Sequence, residues 1–378
     1  MIVEIRPGPT SNKGGELMLR AVVRELGGEH QLAVEPWIGP YRMRAELGLL
    51  QKLWVRRLGP AAGLPGWAMP RRARRLYGLV TEREIGGVLD ASGYAFADHF
   101  PDERMRSIAA TLGRFASAGK PAILLPQAFG PLERPAARDA ARRAVASARM
   151  VFARDESSRR HLEAVGAPLE RVRVAPDFTG SIPGRPPVEP ERWARRVAIV
   201  PNVMMTTATE AQNAGTYLAF LVETVRAVRA ADHEPIVVLH ESSADRQLAD
   251  ELAERSGGLE IVGERDPLAL KGVLAACRLV VASRFHAIAG ALSSGVPVLA
   301  TGWSHKYEAL LAGYGVPDLL VSTDAEAASL RELLVPLLDG PARRDVLQRL
   351  DVAATRIEAE VRTMWVAVRA ELGSAPAT

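Results

Sequence analysis

Three side chains able to hold an anion stand close together between Ala282 and Tyr307: Arg284, His286 and Lys306. Arginine offers a planar fork of N–H donors to a carboxylate or phosphate, lysine a compact charge, and histidine a proton it can give up near neutral pH. The apolar run Leu279–Ala282 ahead of them reads as a strand and Ser283 as the N-cap of a helix reaching Ser294. Pro297–Ala300 reads as the next strand, followed by a loop carrying Lys306. Ligands of an open parallel sheet bind outside the carboxyl ends of its strands, so the three cations are expected at one mouth beside a helix N-terminus. The same logic marks Asn202 behind Val197–Val200, and His240 with Glu241 behind Ile236–Leu239. In the first half of the chain, Val88-Leu89 lead into Ser92-Gly93-Tyr94 and Asp98-His99.

Several familiar chemistries lack their residues. There is no Gly-x-x-x-x-Gly-Lys-Ser/Thr loop and no Gly-x-Gly-x-x-Gly turn, so nucleoside triphosphate hydrolysis and dinucleotide redox chemistry have no phosphate cradle. No His-Glu-x-x-His, clustered Cys/His or Gly-x-Ser-x-Gly occurs either, so neither a metal site nor a serine hydrolase is expected.

The elements that must position these residues repeat a βαβ rhythm. Ile2–Ile5, Ile123–Leu125, Val151–Ala153 and Val172–Val174 are short apolar runs in the first half, and the second half repeats the pattern with strands apolar throughout, as strands covered on both faces are. The 378 residues suit two domains. The expected division is a Rossmann-like domain over 1–183 on the acceptor side, a proline-rich linker over 184–192, a second Rossmann-like domain over 193–340 on the donor side, and a helical segment over 341–378 that could cross back to the first domain. Apolar residues at 48% and charged residues at 24% describe a folded globular chain rather than a disordered one.

Around the cation cluster the sequence closely resembles the polysaccharide pyruvyl transferase family: Ser283-Arg-Phe-His286, then Gly295-Val-Pro-Val298, then Ser304-His-Lys-Tyr307. Further blocks agree in order along most of the chain, namely Asn12-Lys-Gly-Gly-Glu-Leu-Met-Leu19, Leu89–Asp98, Leu125–Pro131 and Phe152–Ser157. Each block is weak alone, and the combination is specific. The resemblance implies an α/β fold of the glycosyltransferase-B type, with two Rossmann-like domains facing a central cleft. It also implies transfer of the enolpyruvyl unit of phosphoenolpyruvate to two hydroxyls of a polysaccharide, glycolipid or lipid-linked glycan, giving a cyclic pyruvate ketal. Phosphoenolpyruvate is then a donor substrate, and no cofactor is implied. By the same resemblance Arg154, Arg284, His286 and Lys306 are donor-site residues, with Asn12 among the binding residues.

Many family members have Asn-x-Gly-Asp near the start, whereas Gly15 stands here at the aspartate position, so the hydroxyl base falls to Glu16 or to another carboxylate such as Asp98. On chemical grounds His286 is the candidate acid, because a histidine among anionic oxygens keeps its proton. Asn202 and His240 could line the donor side, and Tyr94 could stack on an acceptor sugar. Two rivals stay open: a nucleotide-sugar glycosyltransferase, since Gly295-Val-Pro-Val and a helix with Glu308 resemble ribose-binding segments, and a non-catalytic anion- or glycan-binding protein.

Lys52–Tyr77 breaks the rhythm, with Lys52, Arg56, Arg57, Arg71, Arg72, Arg74 and Arg75, the aromatics Trp54 and Trp67, and no acid. It reads either as a solvated basic excursion or as a surface meeting an anionic acceptor or membrane face. A net charge of only +4 gives no support for a nucleic-acid partner. A charged opening segment and a single cysteine, Cys277, point to a cytoplasmic protein, with peripheral contact at the inner membrane face as the second reading of the basic segment.

Overall fold

The computed structural model describes residues 1–53, 69–207, 213–240, 243–302, 305–324 and 327–373. The chain forms two compact units: Met1–Phe178 together with Glu360–Thr378, and Thr179–Ala359.

In the first unit the described residues form nine strands, β1 (Ile2–Pro7), β2 (Gln31–Val34), β3 (Leu50–Lys52), β4 (Leu79–Val80), β5 (Ile85–Ala91), β6 (Tyr94–Phe96), β7 (Ala122–Phe129), β8 (Met150–Ala153) and β9 (Val172–Val174). The order is β4-β3-β2-β1-β5-β7-β8-β9, with β6 paired to β7, and every pair is parallel. The chain steps outward from β1 to β4 and then restarts on the other side at β5, so a topological switch lies between β1 and β5. All eight residues of β7 are buried, and the register shift between Leu124 and Gln127 brackets Pro126, which has no N–H to donate. Helices Asp102–Ser117 and Pro135–Ser147 cover this half of the sheet, with Met105, Leu112, Phe115, Ala140, Ala144 and Val145 packed into the core.

The last turns of helix Pro341–Gly373 belong to this unit. Trp365 is fully buried and meets Phe178 edge-on at 5.4 Å, while Arg369 pairs with Glu25 and Glu29 at 3.1 and 2.8 Å.

The second unit holds β10 (Arg196–Val200), β11 (Glu234–Val238), β12 (Glu260–Val262), β13 (Leu279–Ala282) and β14 (Val298–Ala300), all parallel in the order β12-β11-β10-β13-β14. The switch lies between β10 and β13.

The residues leading into the expected linker, and its first residues Gly184 and Arg185, are tied to helix Pro267–Ala276. Lys271, 4% exposed on helix Pro267–Ala276, donates through Nζ to the carbonyls of Thr179, Gly180 and Ile182 at 2.9, 3.2 and 2.6 Å. Arg185 N donates to Leu268 O at 2.8 Å, and a Cβ on Gly184 would lie 2.4 Å from Gly272 N, so only glycine permits the approach. Local composition showed the broken secondary structure and could not show the helix that covers it.

Candidate functional site

At the switch point of the second unit a hydroxyl network ties the strand ends together. Asn202, just beyond β10, donates from Nδ2 to Ser283 O at 2.7 Å, and its backbone N–H donates to the Tyr217 hydroxyl at 3.1 Å. That hydroxyl meets Ser283 Oγ at 2.8 Å, Ser283 Oγ meets Thr301 Oγ1 at 2.5 Å, and Tyr307 donates to Ser283 O at 3.0 Å. Ser283 is therefore a buried tie between β10, β13 and β14. The expected Ser283 cap is corrected: helix Phe285–Leu292 starts after Arg284, whose φ of −104° is extended. Burial pushes the Tyr217 hydroxyl up to about 12, against its hydrogen bonds to Ser283 and Asn202, so it stays a neutral linker.

The tie fixes the backbone from which Arg284 projects. Its guanidinium is held through Nη2 by both oxygens of Asp245 at 2.5 Å, and Asp245, fully buried, also accepts from Val203 N at 3.0 Å. His286 lies in the first turn of helix Phe285–Leu292 with its ring 5.3 Å from that of Phe285. Lys306 is in the first turn of helix His305–Gly313 rather than in a loop, its Nζ 5.9 Å from the Phe285 ring and 5.3 Å from that of Tyr307. The structure thus gathers His286 and Lys306 around Phe285, one residue from Arg284. His240 is buried two residues beyond β11, on the same edge of the sheet, while its sequence neighbour Glu241 and the motif residue Ser304 lie outside the described residues. Asp245 had no sequence signal, since it sits in a polar helix 39 residues from its partner.

The remaining candidates sit in the first unit. Asn12 caps helix Lys13–Leu26 by accepting from Gly14 N at 2.8 Å, and Glu16 is paired with Arg20 at 2.7 Å on the same helix. A Cβ on Gly15, in the first turn of this helix, would lie 2.6 Å from the carbonyl of Pro9, so the position has no room for the aspartate of other family members. Asp98 accepts the backbone N–H groups of Glu133 and Arg134 at 2.7 and 3.0 Å, which fixes the approach to helix Pro135–Ser147. Tyr94 donates its hydroxyl to Gly130 O at 2.8 Å and packs its ring against His99 and Phe100. Arg154, beyond β8, is paired with buried Asp177 at 3.2 Å.

A cavity of about 880 Å³ opens at the carboxyl ends of β1, β2 and β5, again at the switch point, with helix Asp102–Ser117 as its far wall. Beneath it runs a buried charge network in which Lys52 pairs with Glu4 and Glu82 at 2.7 Å each, and Arg6 lies 3.3 Å from Glu35. Burial raises the Glu35 and Asp90 carboxyls, Arg6 pulling against it in both. Burial acts to lower Arg6, but the carboxylates of Glu35, Glu4 and Asp90 leave it raised overall. Asp90 lies inside the Leu89–Asp98 block, and an acid within an apolar strand was the signal for it.

The basic segment also needs correction. Lys52 is fully buried in that network, and Arg74 is buried against Glu84 at 2.9 Å. Arg71, Arg72 and Arg75 are exposed, next to Leu76 and Tyr77 at 78% and 70% exposure, whereas Arg56, Arg57, Trp54 and Trp67 lie outside the described residues. No described helix is long and apolar enough to cross a membrane.

Among solved structures the chain is similar to HepE of Anabaena in complex with UDP and glucose, with a TM-score of 0.62 and 13% identity over 99% of each chain. UDP-GlcNAc 2-epimerase of Neisseria meningitidis gives 0.57 and 11%, covering 96% of this chain and 100% of that one. WaaG, a glycosyltransferase involved in lipopolysaccharide biosynthesis, gives 0.51 and 13%, covering 97% and 98%. These likenesses establish an α/β fold of the glycosyltransferase-B type. No curated protein matches in sequence. The sequence profile of the polysaccharide pyruvyl transferase family matches residues 12–305, and with Arg284, His286 and Lys306 gathered at the carboxyl edge of β13 and β14, the chain belongs to that family.

Proposed function

We propose that the chain transfers the enolpyruvyl unit of phosphoenolpyruvate to two hydroxyls of a sugar in a polysaccharide, glycolipid or lipid-linked glycan, forming a cyclic ketal. The observation that carries this reading, in a member of the family, is the Arg284–His286–Lys306 constellation set on one sheet edge at the switch point of the second unit.

The donor brings about three negative charges, which a dry site must meet with cations and N–H donors. Asp245 grips Arg284 by one nitrogen and so sets the angle of the guanidinium, while Lys306 supplies a compact charge on the next strand's helix. His286 gives its proton to the terminal methylene, leaving the adjacent carbon open to attack by the first hydroxyl. Loss of phosphate then makes room for the second hydroxyl. Of the two hydroxyl protons released, one restores His286 and the other leaves with the phosphate, so the reaction balances without an added oxidant or reductant. Arg154, fixed by Asp177, joins the donor-binding set by carry-over from the family motif. Asn202 and His240, on the same carboxyl edge, support the donor side by position. Glu16 and Asp98 are oriented by Arg20 and by backbone N–H groups, and each carboxylate keeps further lone pairs able to take a hydroxyl proton.

We place this reaction in the reducing cytoplasm, where a lone thiol such as Cys277 persists. The exposed Arg71, Arg72, Arg75, Leu76 and Tyr77 support peripheral contact with an anionic membrane surface that carries the acceptor.

The test is a thermal-shift and calorimetric comparison of phosphoenolpyruvate with UDP-glucose in the presence of chelator. A ligand at 100 times its Kd adds about 2.7 kcal/mol to stability. Stabilisation by phosphoenolpyruvate, unaffected by chelator, is expected. Stabilisation by UDP-glucose alone would transfer the reading to nucleotide-sugar chemistry.

A further inference from the structure

The cavity of the first unit has a wall chemistry unlike the cation edge of the second. Its charged lining residues are Arg6, Arg104 and Arg114 against Glu35, Asp90 and Glu103, three of each sign, so the wall does not select an anion. Groups of both signs at close range can both donate to and accept from hydroxyls. Trp37 adds a flat apolar face to the same wall and is 49% exposed. Its size falls in the range of about 300–1,000 Å³ typical of small-molecule sites.

Two side chains look prepared for a ligand. Asp90 is 1% exposed, and its Oδ1 takes all of its bonds, from Ser92 Oγ at 2.5 Å, Ser92 N at 3.2 Å and Gln127 Nε2 at 3.4 Å; Oδ2 takes none among the described residues, although Asp90 lines the cavity. Arg104 forms no ion pair among the described residues, and its guanidinium lies over the Phe100 ring at 4.8 Å. Burial raises Asp90 against its hydrogen bonds from Ser92 and the attraction of Arg6 and Arg104, and burial lowers Arg104 against the attraction of Asp90, so these two charges act on each other as well as on the cavity.

We propose that this cavity binds one pyranose unit of the acceptor glycan, with its apolar face on Trp37, a ring hydroxyl donating to Asp90 Oδ2, and Arg104 donating to a ring or hydroxyl oxygen. The inference rests on the transferase reading above and on the first domain as its acceptor side, and adds the cavity and the side chains that recognise the sugar. A hydroxyl on Oδ2 restores the solvation that burial removed, and the balanced charge of the wall favours a neutral sugar over phosphate.

The test uses the full chain, titrated with methyl pyranosides of glucose, galactose, mannose and N-acetylglucosamine and, separately, with inorganic phosphate, followed by calorimetry and tryptophan fluorescence. At least one glycoside is expected to saturate in the millimolar range and to change the emission, with Trp37→Ala and Asp90→Asn each weakening it by about tenfold or more. Phosphate should not compete. Trp37 is half-exposed, so its variant folds and keeps the test valid if Asp90→Asn is compromised. Phosphoenolpyruvate titrated into the same variants should bind as in the parent protein. Failure of phosphoenolpyruvate to bind the parent, with glycoside binding intact, would sink the donor assignment and leave the sugar site standing. Absence of binding by all four glycosides up to about 50 mM, affinities indifferent to both substitutions, or displacement by phosphate would overturn the sugar site.

Discussion

Both sheets reverse their strand order near the middle, and both place chemistry at the carboxyl ends that flank the reversal, yet the two edges are built from different materials. In the second unit Ser283, Tyr217, Thr301 and Asn202 are neutral and mutually bonded, and they hold up a cluster in which Arg284 is clamped by Asp245. In the first unit the floor is itself ionic, with Glu4, Lys52, Arg6 and Glu35 in one network, and the carboxyls of Glu35 and Asp90 are raised by burial. The neutral scaffold fixes the backbone beneath Arg284, His286 and Lys306, and of these Arg284 is itself compensated by Asp245. A mixed-sign floor compensates its own charge and presents hydrogen-bonding groups rather than a field.

The sharpest way to break the contrast is at Asp245. Asp245→Ala would leave Arg284 without its buried partner and Val203 N without an acceptor, and a loss of about 3–5 kcal/mol in stability is expected. Denaturant unfolding measures it; a loss below about 1 kcal/mol would mean that the clamp is dispensable.

Arg284→Ala should weaken phosphoenolpyruvate binding by about 2–4 kcal/mol, and His286→Ala should lower turnover more than affinity. Because Arg284→Ala also strands the Asp245 carboxylate, the double variant Arg284→Ala/Asp245→Asn separates lost binding from lost stability. Equal donor affinity in this variant and the parent would remove Arg284 from the site.

In the first unit the expected effect is smaller and opposite in sign. The folded value of Asp90 lies above its unfolded value, so the unfolded chain ionises first as pH rises, and stability declines from the ordinary carboxylate range up through the raised one. Asp90→Asn removes that decline. At neutral pH it should raise Tm, with the gain vanishing at low pH. A lower Tm at neutral pH would contradict the reading of Asp90 as a group held charged for a ligand at a cost in stability.

The smallest test concerns Cys277, buried at the end of helix Pro267–Ala276, with Sγ donating to Val273 O at 3.2 Å. Burial pushes this thiol up to about 12, so little thiolate exists at pH 8 and a disulfide reagent should label the native chain far more slowly than the denatured one. Rapid native labelling would show that the second unit opens locally.

The sequence by itself determined the βα rhythm, the two parallel sheets and the family. It also placed Arg284, His286 and Lys306 near one sheet edge, because apolar runs and the residues just after them are local features that survive folding unchanged. Its strand positions matched closely where the runs were apolar throughout, as at Leu279–Ala282, and missed short strands such as Gln31–Val34 and Glu260–Val262, where few residues carry the pattern. Only the tertiary structure decided which charges face inward. Lys52 read as part of a basic surface and is fully buried between Glu4 and Glu82, Arg185 read as part of a linker and is paired with Asp266, and Arg284 read as an open cation and is clamped by Asp245. In each case the partner is 30 or more residues away, 48 for Lys52 and Glu4 and 39 for Arg284 and Asp245. Strand order brings such pairs together, and strand order is a property of the packed sheets rather than of any local stretch of sequence.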